Sequence, residues 1–142
     1  MYTILMAVDG EREPARYAAE AVANLPGDPD EKKVVLLNVQ QEFETVDEGK
    51  RVSSEDIYDE SAFPPSIDVA TEILEEAGLA VTKRREHGDT AATILDVAEE
   101  IEADAIVLGS QNRSPTGKAL FGSVTQSVIL DTDLPVTVVS RD

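Results

Sequence analysis

The 142-residue sequence predicts an α/β protein built on an open, doubly wound parallel sheet with helices on both faces. Three observations lead there. Apolar segments of strand length alternate with segments of helical periodicity four times and close on a fifth strand, an order that favours parallel strands joined by right-handed crossovers. The strand segments are largely continuous apolar runs, the pattern of strands covered on both faces. A closed eight-unit barrel needs roughly 250 residues, so an open sheet remains. One domain over residues 1–142 is expected, since 42% hydrophobic content suffices for a continuous core.

The first strand is YTILMAV, residues 2–8, ended by the turn-forming pair Asp9-Gly10. From Glu13 to Leu25, Ala15, Ala18, Val22 and Leu25 recur with the period of one helix face. Pro14 falls where a first helical turn accepts proline, and Pro26-Gly27 stops the helix. Val34 to Val39 supplies the second strand. Ile67, Ala70, Leu74 and Ala77 mark the second helix, with Gly78 placed to close it. The third strand runs roughly from Ala80 to Glu86. Ala91, Ile94, Ala98 and Ile101 define the third helix, which Asp89 or Thr90 can cap. Ala105 to Leu108 begins the fourth strand, Val124 and Val128 mark the fourth helix, and Leu134 to Val139 forms the fifth strand.

The irregular stretch is 40–65, too long for an ordinary connection. It is expected to be a solvated acidic loop, either holding a short helix near Ser54 to Ser61 or mobile. Its eight acids match no calcium-loop spacing and lack the glycine such a loop requires.

Composition excludes whole classes of function. A formal charge of −17, from 29 acids against 12 bases, opposes binding to nucleic acid or to an anionic membrane. The absence of cysteine removes disulfides, zinc-thiolate sites, thiol nucleophiles and iron–sulfur clusters. No apolar run approaches the ~18 residues of a membrane span, and the opening MYTILMAVDG lacks the basic region and cleavage site of a leader. A soluble cytoplasmic protein is expected. Five lysines and abundant carboxylates give a composition similar to that of halophilic proteins of salt-loving archaea.

In open α/β sheets, ligands bind beyond the carboxyl ends of the strands where the strand order reverses. Asp9 ends the first strand, and Gly109 ends the fourth. Gly109 opens a stretch, GSQNRSPTGKALFGSVTQS, within a region from Ala105 through Leu130 that contains no acid, where about five would be expected at the chain's average density. Gly122 permits close backbone approach, and Ser123 and Thr125 offer hydroxyls beside the free N–H groups of a helix start, where the dipole favours an anion. Arg113 and Lys118 add positive charge. A carboxylate ~4 Å from a phosphate would oppose binding even at the effective dielectric of a protein surface. The bland alternative is a loop whose glycines merely turn the chain and whose acids are absent by chance.

Several familiar motifs fail. Gly117-Lys118 could end a phosphate loop GxxxxGK[ST], but Asn112 and Ala119 occupy its first and last positions. GxGxxG and GxSxG are also absent from this loop. His87 is the sole histidine and reads as a surface or ligand-lining residue rather than a catalytic base.

The loop resembles that of the universal stress protein family, whose ATP-binding members carry GxxGx9G[ST] after the fourth strand. Here Gly109-Ser110-Gln111-Asn112 is followed by nine residues and then Gly122-Ser123, so the spacing is kept while Asn112 replaces the second glycine. The resemblance extends over nearly the whole chain: an Asp after the first strand, LLNV in the second, ADAIVLGS into the loop, GSVTQSVI in the last helix and LPVTVV at the end. It implies five parallel strands in the order 3-2-1-4-5, an adenine nucleotide alpha-hydrolase-like arrangement that puts the first and fourth strands side by side. It also implies a homodimer in which the C-terminal strands meet antiparallel, with Val136, Val138 and Val139 at the interface unless they are simply edge-strand core. By position, Asp9 and the backbone around Val39 would contact adenine and ribose. Gly109 would pass under the ribose and phosphates, and Gly122, Ser123, Val124 and Thr125 would receive the phosphates. Asn is the non-glycine residue that most readily adopts positive φ, so Asn112 can keep the glycine conformation while Arg113 or Lys118 replaces lost contacts by charge.

The leading functional reading is a stress-response or regulatory homodimer that binds ATP or a related adenine nucleotide, with or without magnesium, without efficient catalysis. The alternatives are an interaction scaffold with a degenerate nucleotide site, and a slow ATPase or a transferase using the same crevice. A flavodoxin-like carrier shares the fold class, but the chain has no tryptophan and three tyrosines to stack on a flavin.

Overall fold

The structure is a computed structural model and describes residues 1–8, 12–40, 45–47, 50–52, 63–110 and 122–140. Strand β1 (Tyr2–Ala7) leads into helix α1 (Arg12–Ala23), and a 3-10 turn (Pro29–Glu31) precedes β2 (Lys32–Gln40). Two short strands follow, β3 (Thr45–Asp47) and β4 (Lys50–Val52). Then come α2 (Pro65–Glu76), β5 (Ala80–His87), α3 (Thr90–Glu100), β6 (Ala105–Ser110), α4 (Ser123–Asp131) and β7 (Val136–Ser140). The main sheet has the order β5-β2-β1-β6-β7 with every neighbouring pair parallel, which is the order 3-2-1-4-5 counted along its five strands.

Two cores sandwich this sheet, because successive strand residues point to opposite faces. On one face Ile4, Met6, Val8, Val34, Leu36 and Val107 meet Ala15, Ala18, Ala19 and Val22 of α1 and Ile67, Ala70 and Leu74 of α2. On the other, Leu5, Leu37, Ile106 and Leu108 meet Ile94, Val97 and Ala98 of α3 and Val128 of α4. Ile4, Leu5, Met6, Leu36 and Leu37 are fully buried, so β1 and β2 form the centre, each such side chain contributing about 2 kcal/mol by its removal from water.

The helices begin and end for local reasons. Pro14 lies in the first turn of α1, where its missing N–H breaks no helical hydrogen bond. α2 ends in paired back-bonds: the Leu79 N–H donates to the Leu74 carbonyl at 3.1 Å and the Gly78 N–H to Glu75 at 2.9 Å. Gly78 adopts φ +88, which a side chain would oppose. α3 is capped by Asp89, not Thr90: the Asp89 Oδ2 accepts from the Ala92 N–H at 3.0 Å.

Three sequence expectations need correction. Leu25 is not on the buried face of α1; the helix stops at Ala23, and Leu25 is exposed beyond it. The pattern of strands covered on both faces does not extend to the third: β5 stands at the edge, as the order 3-2-1-4-5 implies, and none of its residues is buried. The acidic connection is not loop alone, since β3 and β4 pair antiparallel within it. The expected helix near Ser54 to Ser61 lies outside the described residues.

Candidate functional site

The strand order reverses between β1 and β6, so the carboxyl ends of these two strands open the crevice that such sheets use for ligands. Register brings the ends level: Ala7 of β1 sits opposite Leu37 of β2 and Leu108 of β6. Beyond Ala7, the Val8 N–H donates to the Leu37 carbonyl at 2.8 Å. The buried Asn38 side chain donates through Nδ2 to the Val8 carbonyl at 2.9 Å. β1 is thereby fixed to β2 at the residue before Asp9. Asp9 itself lies outside the described residues, as do Asn112, Arg113 and Lys118.

The end of β2 continues past Asn38 to Val39, whose half-buried side chain packs toward the α3 and α4 side. Gln40 follows, paired with His87 of β5; its carbonyl accepts from the Gly88 N–H at 2.9 Å and its side-chain oxygen from Arg85. His87 is half-buried at this edge.

Gly109, the penultimate residue of β6, is hemmed in by the first turn of α1. A Cβ placed on it would stand 2.5 Å from the Pro14 carbonyl oxygen and 2.9 Å from the carbonyl carbon. Backbone atoms cannot yield as a long side chain can, so this close approach requires glycine. The sequence motif pointed to Gly109 through a ligand; the structure supplies a steric reason within the protein.

α4 starts at Ser123 with Gly122 as its N-cap, at φ −66 and ψ 168. No side chain caps it, and its first turn has no acid. Helix starts leave N–H groups without intrahelical partners, and among the described residues neither a side-chain cap nor a first-turn carboxylate meets them. Ser123 is exposed, Val124 half-buried against the core, and Thr125 buried at 8% exposure, facing inward. Val139 of β7 pairs with Gly109 and packs toward α1, while Val136 packs toward α3 and α4.

Several described charged groups are engaged with each other. Glu13 in the first turn of α1 accepts from the Tyr17 hydroxyl at 2.8 Å and from Arg16 at 2.6 Å, which together hold its carboxyl below the usual range. Arg84 on β5 bridges to Glu100 of α3 at 2.5 Å and to Glu86 at 3.1 Å. Burial opposes the Arg84 charge, but these carboxylates outweigh it and raise the guanidinium above its ordinary value. Among the described residues no cluster of three or more His, Asp or Glu could hold a metal ion. Nor is any described helix long and apolar enough to cross a membrane.

A groove of about 710 Å³ lies at the other end of the sheet, lined by Met1, Tyr2, Leu25 to Asp28, and Asp30 to Lys32. Its rim carries Asp28, Asp30 and Glu31, while the Lys32 ammonium donates to the Leu25 carbonyl at 3.0 Å. Such a rim repels phosphate, so the groove does not compete with the crevice for an anion.

Asn38 is the site residue that sequence reasoning passed over. Its signal was present as one amide inside the apolar run VVLLNV, since a polar group buried in a central strand needs a hydrogen-bond partner.

A model of the universal stress protein family matches residues 1–140. A universal stress protein of Synechocystis is 32% identical over 137 residues, covering 96% of this chain and 84% of that protein. A solved universal stress protein from Archaeoglobus fulgidus superposes with a TM-score of 0.69 at 27% identity, covering 98% of both chains. The universal stress protein of the same organism in complex with dAMP gives a TM-score of 0.65 at 24% identity, again over 98% of each chain.

Proposed function

The chain belongs to the universal stress protein family, and from that premise we propose that it binds an adenine nucleotide, ATP by preference, in the crevice between β1 and β6. The observation that carries the proposal is the start of α4. Among the described residues it has no side-chain cap and no first-turn acid, and it follows β6, one of the two strands at the switch point, in a protein whose net charge is −17. Oriented N–H groups and a helix dipole suit the phosphates of a nucleotide. A protein of the same fold holding dAMP supports adenine as the base.

In this reading Asp9 and the backbone at Val39 take the adenosine. Gly122, Ser123, Val124 and Thr125 receive the phosphates, and Arg113 and Lys118 supply charge. Asn112 keeps the backbone conformation of the family glycine. In this reading the protein acts by binding, without efficient catalysis, as a single-domain regulatory homodimer joined through β7. The replacement of the second motif glycine by Asn112 favours one other reading, a scaffold with a degenerate site.

Calorimetric titration of ATP into wild type, Asn112→Gly and Lys118→Ala at one salt concentration separates the two. Nucleotide binding predicts that wild type binds, that Asn112→Gly changes affinity by less than about threefold, and that Lys118→Ala weakens it several-fold, since the lost attraction is salt-screened. A wild type that does not bind beside an Asn112→Gly variant that does would make the asparagine a block and the scaffold the correct reading.

A further inference from the structure

We propose that Gly109 is a positioning residue: it seats the first turn of α1, at the downstream end of the short connection whose sequence contains Asp9, rather than serving the ligand by direct contact. The proposal rests on the nucleotide reading and changes what the first motif glycine does within it.

Three observations lead to this role. Gly109 is not among the glycines at positive φ, so its backbone conformation does not demand glycine. The space where its side chain would stand is filled by the Pro14 backbone, with the carbonyl oxygen at 2.5 Å and the proline Cβ at 3.1 Å. By alternation along β6, that position shares the face of Val107, which packs toward α1 and α2. What the glycine makes room for is therefore a helix.

The helix in question begins just after the connection from β1. The upstream end of that connection is pinned, because Asn38 holds the Val8 carbonyl and Leu37 holds the Val8 N–H. The downstream end is pinned where buried Pro14 lies on Gly109. Five residues, 9 to 13, separate the two anchors. A side chain at 109 must push the Pro14 carbonyl away by about 1 Å to reach ordinary contact, because packed backbone does not interpenetrate. With Val8 held, that displacement changes the spacing between the two anchors, and the sequence between them includes Asp9, to which the nucleotide reading assigns adenosine. The consequence is felt at the adenosine end of the nucleotide, whereas a glycine lying under the phosphates would act at the other end.

The test compares Gly109→Ala with wild type for adenosine, AMP and ATP at matched salt, together with amide hydrogen exchange of the free proteins. Positioning predicts a loss of about tenfold that is the same for all three ligands, and exchange faster by about tenfold in the first two turns of α1 but not in α3. Pro14→Gly leaves residue 109 untouched and loosens the seated turn; it should reproduce the uniform loss to a smaller extent, and it keeps the question decidable if Gly109→Ala does not fold. A loss that grows from adenosine to ATP overturns the proposal in favour of phosphate contact. So does a lowered Tm with unchanged affinities, which would make Gly109 a packing residue only. If wild type binds none of the three ligands, the nucleotide reading has failed, and the exchange arm decides by itself: unaltered α1 exchange sinks the positioning role.

Discussion

The starts of α3 and α4 follow the carboxyl ends of β5 and β6, on the same face of the sheet, and satisfy the same backbone need in different ways. α3 closes itself: Asp89 lends a carboxylate oxygen to the Ala92 N–H. α4 offers only Gly122, with no side-chain cap and no acid in its first turn. The other two helices also carry an acid early, Glu13 in α1 and Asp68 in α2. Among the four described helices, α4 alone has neither device. In a chain with 29 acids this is a small cost to local stability, since a side-chain cap improves on glycine by about a few tenths of a kcal/mol and a first-turn acid adds a similar amount. The difference is that one helix start is closed by a side chain of its own N-cap, whereas the other has neither that cap nor a first-turn acid among the described residues, which is the feature the proposed phosphate site uses.

Exchanging the two solutions gives the largest expected effect. Gly122→Asp would place on α4 the carboxylate that α3 already has. It should raise stability by about 0.3 kcal/mol, because aspartate caps only slightly better than glycine. Nucleotide affinity should fall by about tenfold to a hundredfold. The unscreened repulsion of two charges ~4 Å apart is ~4 kcal/mol at an effective dielectric of 20, and exposure and salt reduce it. Chemical denaturation and calorimetric titration read the two quantities separately. Equal ATP affinity in the variant would mean that phosphates do not meet the α4 start.

The converse change is smaller and must behave oppositely. Asp89→Ala removes the cap of α3 and should cost about 1 kcal/mol, a Tm decrease of about 3 °C in a domain of this size. Nucleotide affinity should stay within about twofold of wild type. An affinity loss comparable to that of Gly122→Asp would erase the distinction between the two helix starts, placing Asp89 in the ligand's environment rather than in the helix alone.

What the sequence made legible follows the range of the interaction. The period of Ala15, Ala18 and Val22, the closing Gly78 and the capping Asp89 were readable because each acts within a few residues of itself. Leu25 misled because it continues that period past Ala23, where the helix has already ended and exposes it. The extension of β2 to Lys32 and Gln40 comes from pairing with β1 and β5, and the buried Lys32 is satisfied by its bond to the Leu25 carbonyl. β3 and β4, reading TVD and KRV, carry no apolar alternation that would distinguish strands from loop. Of the candidate site, Gly109 and Gly122 were legible as a spacing. The packing of Gly109 on Pro14 and the bond from Asn38 to Val8 were not, since they join residues far apart in the chain that only the sheet order brings together.

The smallest expected effect concerns Glu13, the acid of the α1 start, and asks whether a carboxylate at a helix start here acts through its charge. Glu13 accepts from the Tyr17 hydroxyl and from Arg16, and its pKa in the folded protein is lowered by both, Tyr17 first. A carboxyl with a depressed folded pKa contributes stability above its unfolded pKa and loses that contribution as the pH falls through the folded one. Glu13→Gln should therefore be slightly less stable than wild type near pH 7 and converge with it in acid below the ordinary glutamate range. The gap should also narrow with added salt, because the group is exposed and its ion pair is screened. Urea midpoints between about pH 7 and pH 3, at low and high salt, measure it. A gap that persists unchanged in acid would assign the role of Glu13 to the shape of its hydrogen bonds. The acid-free start of α4 would then have to be explained by geometry as much as by charge.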